Sequence, residues 1–559
     1  MMPKREEIYI RHTVTLRPRG RMRTFAVAMC AGLSGLLYGP VARAETATPI
    51  DTTSGPVVGL PADARGISAY LGIPYAEPPT GELRFLPPVP VKRSKQVIQA
   101  THLGPASAQR ADTPDRLAAQ RSGRPAPPIK IFSSLNEDSL TVNVWTPDRK
   151  ASLPVMVWIH GGGDTVGSGH INGAPLAAAG NVVVVSLNYR LGIFGFVDVS
   201  VLGGERYKES SDDGLLDQLQ ALRWVQQNIA HFGGDPNNVT VFGGSAGGTD
   251  ISALLAVDHP EQYFHRAIMQ SGFANFTKSL AVAQRLSRDI FERAHVTSIK
   301  QLLAMRTEEL LAMQVAATKD MTELENDASF QPTVDGTLVK EFSLDAIRHG
   351  NARKVDLLMG STANELRLYL VWNPEWKNAH LADIVGLKRL PESVRQTLFD
   401  TYRAGRPNMS DGFINLDIAG DFWFRAGALR VAEEQVAYNK NVYMYLVTWP
   451  STDPEMGSPH GEEGGFVFGG ASERPGRYAK LDDPSAKARV EATVAAVQGY
   501  WTSFARTGVP AATGAPLWPR YDTKKRETMM IDRTLSVASD PMASERKVLS
   551  TLNLHRVDW

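Results

Sequence analysis

A serine framed by glycines is the first residue whose setting suggests chemistry. Residues 239–242 are a short apolar, β-rich run, the sequence Gly-Gly-Ser-Ala-Gly follows at 243–247, and a stretch of helical composition begins at Asp250. Strand, Gly-x-Ser-x-Gly turn and helix in this order predict a nucleophile elbow, with the hydroxyl of Ser245 presented at a helix N-terminus. On its own the pattern is weak, because an ordinary glycine-rich turn has the same composition.

A run of three glycines supplies a second element of the same chemistry. It occupies positions 161–163, directly after the apolar run that ends at Ile159. Glycines let a backbone approach a ligand closely and turn its N–H groups inward. The amides of Gly162 and Gly163, together with that of Ala246, are therefore the predicted oxyanion hole. A structural glycine-rich turn is the alternative.

The elements around these motifs predict an α/β fold. Apolar runs at 154–159, 181–187, 354–360 and 442–447 are hydrophobic on both faces, as central parallel strands are. Residues 215–229 have the spacing of an amphipathic helix. We expect a mostly parallel central sheet with helices on both faces. Antiparallel edge strands are expected near 55–59 and 70–76, and helical lid insertions over the carboxyl edge of the sheet at about 280–330 and 375–440.

With these motifs in place, the chain resembles the type-B carboxylesterase family of α/β-hydrolases. The resemblance covers nearly all of the chain after residue 44 and implies a single α/β-hydrolase domain at 45–559. It also implies hydrolysis of small-molecule carboxylic esters without a metal or cofactor. The matching stretches lie at 72–76, 83–85, 137–140, 188–192, 214–218, 232–236 and 270–272.

The resemblance also selects the remaining catalytic residues. The family's acid lies in a Gly-x-x-x-x-Glu stretch, which is 360–365 here, so Glu365 is the expected acid; Leu366 stands where glycine is usual. Asp335 is a rival acid that better resembles a turn aspartate. His460 lies where the family places its base. Ser245, Glu365 and His460 would then form a serine-hydrolase triad acting through an acyl-enzyme.

The N-terminus predicts export. Four arginines between 17 and 23 precede an apolar run at 25–38, and Ala42-Arg43-Ala44 is a small-x-small cleavage site. We expect a signal peptide at 1–44, with Met22 as an alternative start, and a periplasmic or secreted protein without an integral membrane anchor. The formal net charge of +1 over 559 residues gives no basis for nucleic-acid binding.

Two departures from the family concern the segment before the central sheet. The chain has one cysteine, Cys30, and carries Ser107 and Ser139 where many family members have a disulfide. We therefore expect the 107–139 loop to be more mobile than in cross-linked relatives. Residues 108–131 contain no aromatic side chain, so the choline-binding tryptophan of cholinesterases is absent and cholinesterase activity is not expected.

The sequence leaves several alternatives open. Trp372, Trp376, Phe422 and Trp423 could line an acyl or alcohol pocket or simply pack in a core. A lipase, lactonase or amidase would use the same triad, and some relatives keep the fold as inactive binding or adhesion proteins. The expected oligomeric state is a monomer or a weak dimer.

Overall fold

A ten-stranded sheet forms the centre of the protein. The computed structural model describes residues 48–109, 135–272, 274, 277–318, 329–371, 373–473, 478 and 483–552, so the predicted signal peptide at 1–44 lies outside the described residues. The strands are β1 Ser68–Pro74, β2 Thr141–Thr146, β3 Leu153–Ile159, β4 Val183–Leu187, β5 Gly234–Gly244, β6 Arg266–Gln270, β7 Asp356–Thr362, β8 Val442–Val447, β9 Glu527–Ile531 and β10 Ser536–Ser539.

The sheet is mostly parallel, as the sequence predicts. Its strand order is β10-β9-β8-β7-β6-β5-β3-β4-β2-β1. The pairs from β9 through to β4 are all parallel, and the three antiparallel pairs lie at the two edges. The edge strand expected near 70–76 is β1. The one expected at Gly55–Gly59 belongs instead to a separate three-stranded sheet with Ile50–Thr52 and Ile98–Ala100.

Helices cover both faces of this sheet. The helix predicted at 215–229 is observed at Asp213–Asn228. Single helical turns lie at Ser200–Gly203 and Gly470–Glu473. The main helices are α1 Ala174–Gly180, α2 Asp213–Asn228, α3 Ala246–Leu254, α4 Leu280–Arg293, α5 Ile299–Ala304, α6 Thr307–Thr318, α7 Ser343–Arg348, α8 Glu392–Gly405, α9 Asp411–Gly420, α10 Ala426–Gln435, α11 Glu462–Val467, α12 Pro484–Thr507 and α13 Ala543–Ser550.

Alternate residues of the central strands enter two different cores. In β3, Val155 and Val157 belong to the apolar cluster on one face, whereas Met156 belongs to the cluster on the other. All three are fully buried. Successive side chains of a strand point to opposite faces, so a strand covered on both sides must be apolar throughout. This is why the central strands appear in the sequence as continuous hydrophobic runs.

Most buried apolar side chains of the second insertion, residues 375–440, form a cluster separate from the two that cover the sheet, and residues of 366–370 and α13 complete it. Trp376, Phe422 and Trp423 are all buried in that cluster. Their role is therefore packing within the insertion, the second of the two roles that the sequence allowed. Trp372 lies outside the described residues. The first insertion is also helical where it is described, through α4, α5 and α6.

Within the described residues, every helix is too short or too polar to cross a bilayer.

The two serines that replace the family's cysteines are in contact. The hydroxyl oxygens of Ser107 and Ser139 lie 2.9 Å apart, and the Ser107 hydroxyl also donates to the carbonyl of Tyr189 at 2.7 Å. Both side chains are buried. A hydrogen bond therefore occupies the place of the covalent link. Residues 110–134 lie outside the described part of the chain, so the expected mobility of this loop stays a prediction.

We predict that the double variant Ser107→Cys/Ser139→Cys, in a Cys30→Ser background, forms a disulfide on oxidation. Closing a loop of this length is expected to raise the free energy of unfolding by about 3–4 kcal/mol. Thiol titration and urea denaturation with and without reductant measure the two effects. The single-cysteine variants are the controls and should gain nothing. Two thiols that stay free after oxidation would contradict the prediction.

Candidate active site

Ser245 lies at a sharp turn between β5 and α3. Its backbone has φ 58° and ψ −128°, a region that residues other than glycine rarely adopt. The turn is fixed by neighbouring backbone: the Ser245 amide donates to the carbonyl of Gln270 at 2.8 Å, and the Thr249 amide donates to the Ser245 carbonyl at 3.0 Å. The side chain is partly exposed. These features are those of the predicted nucleophile elbow.

The glycines around Ser245 are required by close backbone contacts. A Cβ added to Gly247 would lie 2.2 Å from the carbonyl oxygen of Ile159, and one added to Gly161 would lie 2.9 Å from the Cβ of Ser245. A Cβ on Gly248 would lie 2.9 Å from the Cα of Gly272. No side chain fits at such distances. The glycine loop, residues 161–163, therefore lies directly against the elbow.

The amides of the predicted oxyanion hole are not used in hydrogen bonds within the described part of the chain. Gly162 and Gly163 have φ of 122° and 60°, and the carbonyl of Gly162 is held by the amides of Thr165 and Val166 at 3.2 and 3.1 Å. Among the described residues, no carbonyl or side chain accepts a hydrogen bond from the amides of Gly162, Gly163 or Ala246. Gly163 and Ala246 are buried and Gly162 is half-buried, and buried amides without a partner are rare and costly. They are suited to a ligand oxygen.

His160, which precedes this loop, is a structural residue. Its ring stacks on Tyr189 with 4.4 Å between ring centroids, and its Nδ1–H donates to the carbonyl of Gly161 at 3.0 Å. Burial lowers the pKa of His160 to about 4. The imidazole is therefore neutral near pH 7 and supports the loop from behind.

Glu365 and His460, distant in sequence, are in direct contact. Nδ1 of His460 lies 2.5 Å from Oε2 of Glu365. The other oxygen, Oε1, accepts from the amide of Thr362 at 2.6 Å and from the hydroxyl of Ser271 at 2.7 Å. Glu365 follows β7 and is 1% exposed. The rival acid Asp335 lies elsewhere, accepting hydrogen bonds from the amides of its own turn.

A second set of hydrogen bonds fixes the acid and histidine loops to each other. The backbone amide of Asn364 donates to the carbonyl of Ser458 at 3.0 Å. The amide of Ser458 in turn donates to Oδ1 of Asn364, also at 3.0 Å. The Nδ2 of Asn364 donates to Asp417 of α9 at 2.9 Å. Arg367 forms two 3.0 Å bonds to the same carboxylate. The second insertion thus anchors the loop that carries Glu365.

A second buried acid, Glu463, extends the contacts of Glu365. The Ser271 hydroxyl lies 2.7 Å from Glu365 and 3.2 Å from Oε1 of Glu463, and Tyr445 donates to the same Oε1 at 3.4 Å. Burial, and then the charge of Glu365, raise the pKa of Glu463 to about 7. A protonated Glu463 can donate to Ser271, which leaves the serine proton for Glu365. In the sequence, Ser271 is indicated only by the family match at 270–272, and Glu463 only by its position close to His460.

The ring of Phe424 packs on His460. Its ring centroid lies 4.5 Å from that of His460, at an angle of 45°. Phe424 belongs to a π-helical turn, Asp421–Arg425, between α9 and α10. Sequence reasoning named its neighbours Phe422 and Trp423 instead, because only the helical phase of this turn decides which ring faces the histidine.

The structure therefore brings together most of what the sequence proposed. Ser245 and the glycine loop meet at the carboxyl ends of β5 and β3. Glu365 and His460 meet beyond the ends of β7 and β8, with Ser271 at the end of the intervening β6. Polar residues converging at the carboxyl edge of a mostly parallel sheet, with the serine on a strand–turn–helix elbow, define an α/β-hydrolase.

Comparison with known proteins gives the same class. The family model for the carboxylesterase family matches residues 46–549. The chain is 34% identical over 514 residues to the para-nitrobenzyl esterase of Bacillus subtilis (strain 168). That alignment covers 89% of this chain and 98% of the relative. It is 31% identical over 536 residues to the cocaine esterase of Homo sapiens, covering 90% and 92%.

Solved structures agree. The carboxylesterase Est55 of Geobacillus stearothermophilus superposes with a TM-score of 0.77 and 31% identity, covering 90% of this chain and all of that one. A thermophilic pNB esterase superposes with a TM-score of 0.76 and 33% identity over the same shares. The chain belongs to the carboxylesterase family and is a carboxylic ester hydrolase. The family and fold expected from the sequence are confirmed.

We predict that Asn364→Ala lowers kcat/KM by about 10- to 100-fold, because the loops carrying Glu365 and His460 lose their shared hydrogen bonds and small displacements of reacting groups cost this much. Ester hydrolysis and the downfield NMR resonance of the His460 Nδ1 proton measure the effect. Asn415→Ala is the control, since that side chain donates to the carbonyl of Ala379 and not to the loops of Glu365 and His460 among the described residues. An unchanged resonance and rate would contradict the prediction.

We predict that Glu463→Gln removes a pH-dependent part of the stability. The raised pKa means that the folded protein keeps a proton between pH 4.5 and about 7 that the unfolded chain has released. This contribution is complete below pH 4.5 and is lost as the pH rises through 7. Relative to the variant, the wild type should lose about 3 kcal/mol of unfolding free energy across that range.

Urea denaturation at pH 5 and pH 8 measures the difference. Glu309→Gln, at an exposed position on α6, is the control and should leave the pH dependence as it is. A difference between wild type and Glu463→Gln that stays constant with pH would show that Glu463 is ionised throughout.

Proposed function

We propose that the protein hydrolyses carboxylic esters through an acyl-enzyme formed on Ser245. His460 is the general base and then the general acid, Glu365 orients it, and the amides of Gly162, Gly163 and Ala246 form the oxyanion hole. The observation that carries the proposal is the 2.5 Å contact between Glu365 and Nδ1 of His460.

That contact sets the tautomer of the histidine. A carboxylate only accepts hydrogen bonds, so Nδ1 carries the proton and the lone pair is left on Nε2. This is the form that a general base needs. When Nε2 takes up a second proton, the buried carboxylate beside the ring stabilises the imidazolium.

The elbow and glycine loop support the other half of the proposal. The glycine loop and the turn after Ser245 both contribute amides to this site, and no described group accepts a hydrogen bond from those amides. Ser245 itself is partly exposed. The negative charge that develops on an ester oxygen during attack would be stabilised by such fixed donors, each worth about 2.7–4 kcal/mol of barrier. Ser245 also stands at the N-terminus of α3, where the helix dipole favours negative charge.

The reaction then runs in two halves. His460 takes the serine proton as Oγ attacks the ester carbonyl, and returns it to the alcohol as the tetrahedral intermediate collapses to the acyl-enzyme. A water molecule attacks the acyl group with His460 again as base, and the acid leaves as Ser245 regains its proton.

For the substrate we propose small to medium neutral or aromatic esters. Two arguments support this class: the relatives include a protein named para-nitrobenzyl esterase, and the ring of Phe424 lies beside the histidine. Hydrolysis of p-nitrophenyl esters of graded acyl length tests it. Activity that rises only on emulsified long chains would identify a lipase instead. Comparing matched lactones and amides separates the remaining alternatives.

We also propose that the enzyme is exported after cleavage near Ala44 and acts as a monomer or a weak dimer. N-terminal sequencing of the secreted protein and sedimentation at several concentrations test these two statements.

We predict that Ser245→Ala lowers kcat by about 10⁶-fold and abolishes labelling by a fluorophosphonate, because no other group can form the acyl bond. Glu365→Gln should lower kcat by about 10⁴-fold, since an amide can hold the imidazole in the wrong tautomer. Steady-state hydrolysis and probe labelling measure both. Ser252→Ala is the control, because that buried hydroxyl on α3 donates to the carbonyl of Thr249.

The outcomes separate the alternatives. Wild-type protein that neither labels nor turns over any ester would be an inactive binding protein of this fold. Labelling that persists in Ser245→Ala would place the nucleophile elsewhere.

A further inference from the structure

Two buried carboxyl groups join the glycine loop to the helix behind Ser245, and the proposed mechanism uses neither. Asp164 directly follows the loop, and Asp250 lies on α3. Both residues are fully buried, and a side-chain hydrogen bond with Asp164 is one of the interactions that act on the pKa of Asp250. Ionised carboxylates are acceptors only, so a hydrogen bond between two of them requires a proton on one.

The surroundings of Asp250 favour that proton. Oδ2 accepts from the Nε2 of Gln218 on α2 at 2.5 Å. Among the described residues, no N–H or O–H group donates to Oδ1, so Oδ1 is the oxygen left to meet Asp164. Burial raises the pKa of Asp250 to about 7, although its hydrogen bonds to Gln218 and Asp164 act in the opposite direction.

The surroundings of Asp164 tie it to the loop. The Tyr189 hydroxyl lies 3.1 Å from its Oδ1 and 2.7 Å from the carbonyl of His160, at the other end of the loop. The amide of Gly192 donates to the Asp164 carbonyl at 2.6 Å. Asp164 has φ 54°, in the left-handed region. A residue other than glycine stays there only where its contacts hold it.

Two titratable side chains of the described residues, Tyr189 and Lys278, interact with the carboxyl pair. Burial, and then the charges of Asp164 and Asp250, raise the pKa of Tyr189 well above its usual value, so the phenol stays neutral. Lys278 is buried nearby; burial lowers its pKa to about 8, while Asp212, Asp164 and Asp198 act to raise it. Burial raises the pKa of Asp212. Within the part of the chain that the structure describes, the ammonium of Lys278 therefore interacts with both Asp164 and Asp198.

We propose that Asp164 and Asp250 share one proton and serve as a positioning pair that holds the glycine loop against α3. Loss of that proton places two carboxylates against each other, which weakens the contact and lets the loop amides move. The inference rests on the proposed function, because the position of these amides matters for the rate only if they bind the oxyanion.

The test compares Asp250→Ala with Asp250→Asn. The alanine variant removes the contact and should lower kcat by about 10²-fold with KM changed less than about threefold, as expected when donors to the transition state are displaced. The asparagine variant donates to Asp164 permanently and should recover most of kcat. Its kcat should also lack the decline above about pH 7 that the proposal predicts for the wild type.

A second measurement needs no turnover. The raised pKa means that the stability owed to the proton is complete below about pH 4 and is lost as the pH rises through 7. The melting temperature of the wild type should therefore fall relative to Asp250→Asn between pH 4 and 7, and the difference should level off above that. Asp198→Asn, at a buried carboxyl that instead accepts from the Ser200 amide, is the matched control and should keep the alkaline decline in kcat.

Equal kcat for the alanine and asparagine variants, an alkaline decline retained in Asp250→Asn, or a melting difference independent of pH would each overturn the proposal. If Asp250→Ala does not fold, the asparagine variant and the melting measurement decide. Failure of fluorophosphonate labelling in wild type would refute the proposed function, whereas the melting measurement still reports on the shared proton.

Discussion

The site depends on a contact in which two backbone segments meet with no side chains between them. The loop after β3 and the turn after β5 approach so closely that a Cβ at Gly161 or Gly247 would overlap the opposite backbone. This contact holds Ser245 in a backbone conformation that an isolated peptide would avoid. It also brings amides from both segments to one point. Strand pairing between β3 and β5 makes the approach possible, since the two strands are hydrogen-bonded neighbours.

Glu365 and His460 follow β7 and β8, on the other side of β6 from Ser245, and a different kind of contact holds them. Side-chain hydrogen bonds fix them, running from Asp417 through Asn364 to Ser458. The second insertion supplies Asp417 and also Phe424, which packs on the imidazole. The insertion therefore contacts both the loop that carries Glu365 and the ring of His460. A change in its packing would reach the chemistry through these contacts.

Buried carboxyl groups stand on both sides of the site. Glu463 lies beyond Glu365, and Asp250 lies behind the glycine loop, and burial raises the pKa of each to about 7. A neutral carboxylic acid in a dry setting is a hydrogen-bond donor, while its ionised form is only an acceptor. We therefore expect the geometry of the site to respond to proton uptake by these two groups near neutral pH.

The sequence by itself determined the local elements. Apolar runs gave the central strands, because a strand covered on both faces must be hydrophobic throughout, and the glycines around Ser245 gave the elbow, because the turn excludes side chains. Glu365 and His460 required the family resemblance. Only the tertiary structure decided the partners: Ser271 and Glu463 behind Glu365, Phe424 on the histidine, and the proposed pairing of Asp164 with Asp250. These contacts join residues on different strands and helices. They depend on strand order, register and helical phase, which no short stretch of sequence encodes.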